Sequence, residues 1–323
     1  MFLNADIGVL CFVRSNKAQN SITTGLRLSM RVLFIKGLLH LFALLPFRTV
    51  HGIATLLGQL VAQLPKLRMT QVTRINICMA FPHLPPTAQD VLVTQSLIET
   101  CKAFSELGAL WLWRVERVLG LVRRVAGEEC LQQALKLGKG VILLTPHLGA
   151  WEMMGLYVSA HYTMTGWYRP PKLVGLHDFI HAARSRGGGR LVATDSAGIR
   201  ALYQALRCGQ IAGILPDQVP SGTGSGIFAP FFDIPAYTIT IVSRLAHKTG
   251  ATVIFTYAER LPHGQGFHLH FLPAAPNIAA ANLEIAVSAL NQGVERCIQN
   301  CPSQYQWSYK RFKRCPDGEN SVY

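Results

Sequence analysis

A histidine and a glutamate five residues apart, His147 and Glu152, stand where an apolar run, Val141 to Thr145, meets a turn at Pro146-His147. A helical pattern follows from Ala150. Histidine, with an unperturbed pKa of about 6.5, can take a proton from a hydroxyl at neutral pH. A carboxylate on its other ring nitrogen fixes the tautomer and stabilises the imidazolium that forms. The alcohol itself can then attack a thioester, with no enzyme nucleophile in between. No G-x-S-x-G elbow competes for that role, since Gly222-Thr223-Gly224-Ser225-Gly226 has the wrong order and follows no strand directly. On one continuous helix, residues five apart point to different sides. His147 can therefore meet Glu152 only from the turn, its ring folded back toward the carboxylate. Taken alone, the spacing fits a structural histidine in a turn as well as a catalytic one.

The elements that must hold such a pair follow from hydrophobic patterning. Apolar runs at 141–145, 163–168, 190–194, 211–215, 252–257 and 267–272 read as strands. Helical patterns occupy 151–160, 177–186, 197–207, 237–248 and 282–299. This alternation predicts an α/β fold, a largely parallel central sheet flanked by helices. In open sheets of that kind, ligands sit beyond the carboxyl ends of the strands. His147 is expected at one such end, and Asp217 and Gln218, after the run at 211–215, at another.

Upstream, 87–118 is helical in pattern and ends in Leu110-Trp111-Leu112-Trp113-Arg114. Apolar stretches at 32–47 and 50–64, broken at Pro46, read as one kinked span or a half-inserted hairpin. The first is a little short for a span, which needs about 20 residues. The organisation expected is an unassigned tail (1–30), a membrane-associated helical segment (31–64) and one catalytic domain (65–323).

Half of the residues are hydrophobic and 15% are charged, against about 25% charged in an average soluble domain. A formal net charge of +14 favours polyanionic partners: acidic leaflets, phosphorylated lipids or acidic carrier proteins. Nucleic acid fits less well, because no basic run interleaved with aromatics lies on a polar domain. The eight cysteines contain no C-x-x-C pair and imply neither a disulfide framework nor a zinc site. His177-Asp178-Phe179-Ile180-His181 has the i,i+4 histidines of a zinc helix without its glutamate, and reads as an ordinary amphipathic helix.

Several blocks together carry a family resemblance. His147 to Glu152 resembles the H-x-x-x-x-(D/E) motif of glycerolipid acyltransferases. Arg74-Ile75-Asn76-Ile77-Cys78-Met79-Ala80-Phe81-Pro82, Tyr168-Arg169-Pro170, Leu215-Pro216-Asp217-Gln218, Phe228-Ala229-Pro230-Phe231-Phe232 and the ending Pro302 to Pro316 are similar to successive blocks of the lipid A lauroyl/myristoyl acyltransferases. Some members of that family follow the aspartate with histidine, where this chain has Gln218. The resemblance implies transfer of a fatty acyl chain from acyl-acyl carrier protein to a hydroxyl of a 3-hydroxyacyl chain on a Kdo-bearing lipid A precursor. It also implies an enzyme on the cytoplasmic face of a bacterial inner membrane, needing no metal or other cofactor. In its terms His147 is the general base and Glu152 its partner, while Arg169, Asp217, Gln218 and Arg311 are expected to bind substrate. The basic cluster of Lys310, Arg311, Lys313 and Arg314 is expected to face anionic lipid or the acidic carrier protein. Other readings of the same motif are a lysophospholipid acyltransferase, a thioesterase, and a catalytically silent lipid-binding scaffold.

Overall fold

A computed structural model describes residues 21–171, 173–220, 224–316 and 320–323. The first twenty residues of the expected tail lie outside the described residues, and the helix that follows starts at Ser21, inside that tail.

Among the described residues six helices come first: α1 (Ser21–Leu44), α2 (Phe47–Ala62), α3 (Arg68–Ala80), α4 (Pro86–Ser105), α5 (Leu107–Leu112) and α6 (Val115–Leu119). The helical pattern expected over 87–118 thus breaks into three. The α1–α2 break falls at Pro46, which holds an extended φ/ψ of −57°/139° and cannot continue the ladder of α1.

The remainder alternates: β1 (Val122–Ala126), α7 (Glu128–Lys136), β2 (Val141–Leu144), α8 (Trp151–His161), β3 (Met164–Tyr168), α9 (His177–Ser185), β4 (Arg190–Ala193), α10 (Ser196–Arg207) and β5 (Ile211–Ile214). Then come β6 (Gly226–Phe231), β7 (Ile234–Ile239), α11 (Ile241–Thr249), β8 (Thr252–Arg260), β9 (Phe267–Pro273) and α12 (Leu283–Asn300). The main sheet has the order β1-β9-β8-β2-β5-β3-β4. From β8 to β4 neighbouring strands run parallel; β9 is antiparallel to β8 and parallel to β1. The expected α/β architecture is therefore present.

The central strands show why. Val141–Leu144 is buried at every residue, as a strand covered by helices on both faces must be. One face (Ile142, Leu144, Ala212, Ile214) packs into a core that also holds residues of α10, α11 and α12. The other (Val141, Leu143, Ile211) packs with residues of α5, α7, α8 and α9.

Two expectations require correction. The helix expected over 237–248 is instead the end of β7 and the start of α11, joined at Thr240. Tyr237-Thr238-Ile239 belongs to an antiparallel β6–β7 hairpin. Moreover, the expected span finds no support, since no helix among the described residues is long and apolar enough to cross a membrane. Helices α1 and α2 lie on the domain, burying Leu39, Phe47, Val50, His51 and Ala54. They leave two apolar stripes exposed: Met30, Leu33, Phe34, Leu38, Leu41 and Leu44 on α1, and Ile53, Leu56, Leu57 and Leu60 on α2.

Candidate active site

Strands β2 and β5 are parallel neighbours with Leu144 opposite Ile214. Three residues beyond each of these positions come His147 and Asp217, so equal steps past the strand ends bring them side by side. His147 is 1% exposed and Asp217 3%. The Nδ1–H of His147 donates to Asp217 Oδ1 at 2.8 Å, and the backbone N–H of His147 donates to Oδ2 at 3.0 Å. Burial works against the charge of Asp217, but His147 and its hydrogen bonds hold the carboxyl below its usual value. With Nδ1 committed to Asp217, the lone pair of a neutral ring lies on Nε2. There the half-buried Gln218 donates from Nε2 at 3.3 Å; the same amide also donates to Gln306 Oε1 at 3.3 Å.

The turn that presents His147 is held from several sides. Gln306 N–H donates to the His147 carbonyl at 2.9 Å, and Gly149 N–H to the Gln304 carbonyl at 3.0 Å. Gly149 has φ +59°, and a Cβ there would fall 2.0 Å from the Ala258 carbonyl oxygen. Only glycine allows the chain to pass β8 so closely and still start α8 at Trp151. Tyr305 is buried beside the dyad; burial, and a hydrogen bond to Asp217, push its phenol well above the ordinary value. The closing block of the chain thus forms one wall of the site. Asn76 ties that wall to the N-terminal helices, its Nδ2 donating to the Trp307 and Tyr309 carbonyls at 2.6 and 2.8 Å.

Glu152 is not the partner of His147. It lies on the first turn of α8, and its bonds run from Trp111 Nε1 at 3.1 Å and from Arg184 of α9, whose Nε lies 3.1 and 3.0 Å from the two carboxylate oxygens. Arg184 Nη2 closes a second arm of the pair. Burial opposes its ionisation, yet Arg184, with help from Trp111, keeps this carboxyl below its normal range. The helix spacing explains the outcome. His147 turns to the β5 side, whereas the first turn of α8 faces α5 and α9.

Glu152 and Arg184 line a cavity of about 100 Å³ between α8 and the sheet, together with Arg169, Tyr168 and Trp151. Trp151 also touches the turn that carries His147, its ring centroid 5.3 Å from that of His147. Arg169, expected near substrate, therefore does line the same cleft.

Arg311 does not. It is 3% exposed, and its guanidinium donates to the Tyr237 carbonyl at 2.9 Å and to Thr238 Oγ1 at 2.7 Å. The expected substrate-facing arginine is instead a clamp on β7, where an arginine's fixed fork can satisfy two acceptors at once. Lys310 and Lys313 lie over the rings of Tyr323 and Tyr309. The sequence reading missed Arg184, Tyr305 and Gln306. Arg184 had one usable signal: it is the one arginine of an amphipathic helix and sits on the buried-side register, four residues after Ile180.

Comparison with known proteins comes out consistently. The sequence model of the bacterial lipid A biosynthesis acyltransferase family matches residues 25–314. The lipid A biosynthesis lauroyltransferase of Escherichia coli (strain K12) is 27% identical over 289 residues, covering 89% of this chain and 92% of that protein. The palmitoleoyltransferase of the same strain is 26% identical, with the same two coverages. Its myristoyltransferase is 23% identical over 87% of this chain and 86% of its own.

Proposed function

Because the chain belongs to the bacterial lipid A biosynthesis acyltransferase family, we propose that it moves a fatty acyl group from acyl-acyl carrier protein to a hydroxyl of a 3-hydroxyacyl chain on a Kdo-bearing lipid A precursor. The observation that carries the mechanism is the buried His147–Asp217 pair at neighbouring strand ends, its Nε2 directed away from Asp217. In this reading the acceptor hydroxyl donates to Nε2, displacing the Gln218 amide. As its oxygen attacks the thioester carbonyl, the proton passes to His147. Asp217 stabilises the imidazolium that results. Collapse of the tetrahedral intermediate breaks the carbon–sulfur bond, and His147 returns the proton to the leaving thiolate.

Glu152 enters through Arg184. Their ion pair holds the cavity mouth in shape and keeps a guanidinium beside the reacting end, with Arg169 close by. The freed Gln218 amide can donate to the carbonyl oxygen as negative charge develops there.

Helices α1 and α2 are proposed to rest in the cytoplasmic leaflet of the inner membrane rather than cross it. Met30, Leu33, Phe34, Leu38, Leu41 and Leu44 recur at three- and four-residue steps, as do Ile53, Leu56, Leu57 and Leu60. Such a stripe lies flat at an interface. Arg31 and Lys36 on the same helix suit anionic headgroups.

Mass spectrometry of a Kdo-bearing lipid A precursor, incubated with the protein and acyl-acyl carrier proteins, tests the reaction. The expected result is a gain of one acyl chain, cut by about a hundredfold to ten-thousandfold in His147→Ala. Near-normal turnover in a well-folded His147→Ala protein would remove His147 from the mechanism. Consumption of the donors with a lysophospholipid, and none with the lipid A precursor, would reassign the acceptor.

A further inference from the structure

The cavity beside the catalytic turn has a direction. Strands β2, β5 and β3 run parallel, and α8 returns against them, so position along each element reports depth. Thr145, Leu215, Tyr168, Arg169, Trp151, Glu152 and Arg184 lie toward the strand ends, where His147 stands. Below them the lining is apolar, and Met164, at the very start of β3, is among its deepest members. The upper part carries a polar group without a partner. Tyr168 is buried, and its hydroxyl has no hydrogen-bond partner among the described residues. Buried polar atoms left this way call for a bound group to satisfy them. A polar mouth above an apolar shaft fits a molecule with a carbonyl end and a hydrocarbon tail.

Three glycines give the shaft its width. The sheet register aligns Leu143, Gly213, Gly166 and Leu191 in one row across four strands. Two adjacent glycines in the middle of that row leave a trough between the leucines. From the row below, the Met164 side chain leans over it; a Cβ at Gly213 would lie 3.1 Å from Met164 Sδ. On the opposite wall, Gly155 sits one helical turn beyond Trp151, in the interior of α8. A Cβ there would meet nothing within 4 Å, and its backbone φ is not in the left-handed region. A glycine inside a helix is destabilising relative to alanine. Neither backbone conformation nor crowding at position 155 explains its presence, whereas an open shaft does.

We propose that Gly155, Gly166 and Gly213 form the channel for the donor's acyl chain and that Met164 is its floor, so that these four residues set the chain length accepted. This assignment rests on the acyl-transfer reading above. Added bulk at Gly155 should shorten the chain tolerated. Removal of bulk at Met164 should lengthen it.

The test measures initial rates with acyl carrier protein thioesters from octanoyl to stearoyl, one acceptor being held constant, for the unaltered protein, Gly155→Leu, Gly155→Ala and Met164→Ala. The expected result for Gly155→Leu is a preference moved to shorter donors, with about a tenfold or greater loss on the donor the unaltered protein prefers. Met164→Ala should move the preference the other way. Gly155→Ala should show a smaller shift toward shorter donors with an unchanged or raised melting temperature, which separates pocket filling from misfolding. Rates that fall by one common factor at every length, or a shift in acceptor preference alone, would overturn the assignment. Melting-temperature shifts with free fatty acids from decanoate to stearate give a second readout. If the unaltered protein transfers no acyl group, the function proposed above fails. The channel then stands or falls on whether the same variants reorder the fatty acids that stabilise the fold.

Discussion

Two buried clusters of charge sit on either side of β8's neighbourhood, and they do opposite things with their hydrogen-bonding capacity. In one, Arg260 at the end of β8 donates to both oxygens of Glu106, between α4 and α5, from Nε at 2.8 Å and Nη2 at 2.7 Å, and to Glu99 of α4 from Nη1 at 2.8 Å. Lys102 caps Glu99 at 2.7 Å, and His51 of α2 lies 3.3 Å from Glu106. Gln304 closes the arrangement through the Arg260 backbone, accepting from its N–H and donating to its carbonyl. The charges there are matched within the protein, and the product is a bolt between the N-terminal helices and the sheet. In the other, Asp217 satisfies one nitrogen of His147 and leaves the second to a half-buried glutamine at a weaker 3.3 Å. Burial and ion pairing are common to both. The second keeps a basic atom at the strand ends, where an incoming hydroxyl can use it.

The contrast can be broken by substitution. The largest effect should come from Asp217→Asn, which preserves shape but removes the charge that supports imidazolium. Turnover should fall by about a hundredfold or more, with little change in substrate KM, read from steady-state kinetics on protein checked by circular dichroism. Retention of normal kcat would return the partner's role to another carboxylate.

Glu152→Gln should cost less, about tenfold to a hundredfold, and through Arg184. A double-mutant cycle checks this: Arg184→Gln added to Glu152→Gln should bring little further loss, because each change breaks the same ion pair. Strict additivity of the two would show that Glu152 acts elsewhere.

Arg260→Met addresses the bolt. It strands Glu106 and Glu99 beside apolar surface, and breaking such a buried pair costs about 3–5 kcal/mol. Denaturant melts should register that loss, while turnover per folded molecule changes little.

The smallest effect is in pH dependence. Burial opposes the charge of Glu106, but Arg260 and His51 draw its pKa down to about 2 from 4.5. A carboxyl lowered on folding stabilises the native state above its unfolded pKa, and that stability disappears as pH falls toward the folded value. Stability should therefore decline between about 4.5 and about 2, and Glu106→Gln should flatten that slope in acid titrations followed by fluorescence. Asp217, also lowered, adds to the slope in the same direction.

Much of the fold was legible because its signals are local. Val141 to Leu144 and Ile211 to Ile214 are short apolar runs bounded by turns, and α8 and α10 carry helical spacing. Two misses have physical causes. Val122–Ala126 is an edge strand with two exposed arginines, Arg123 and Arg124, so its pattern reads as polar. Tyr237-Thr238-Ile239 ran on without a break into the helical spacing of α11, and only pairing with Gly226, Ile227 and Phe228 makes it a strand. Arg311 was misread for a related reason. A basic cluster in sequence suggests surface, but the chain folds this one guanidinium inward onto β7.

The sequence by itself determined that His147 stands in a turn after a buried strand, that Asp217 stands after another, and that α8 starts beside the first. Strand, turn and helix start are each set within a few residues of chain. The tertiary structure alone decided which carboxylate serves which base. Glu152 is five residues from His147 and Asp217 is seventy, yet the parallel register of β2 with β5 puts Asp217 against the ring. The same packing of α8 on α9 gives Glu152 to Arg184. Hydrogen bonds of a few ångströms follow distance in space, and a sheet that places β5 between β2 and β3 brings far residues nearer than close ones.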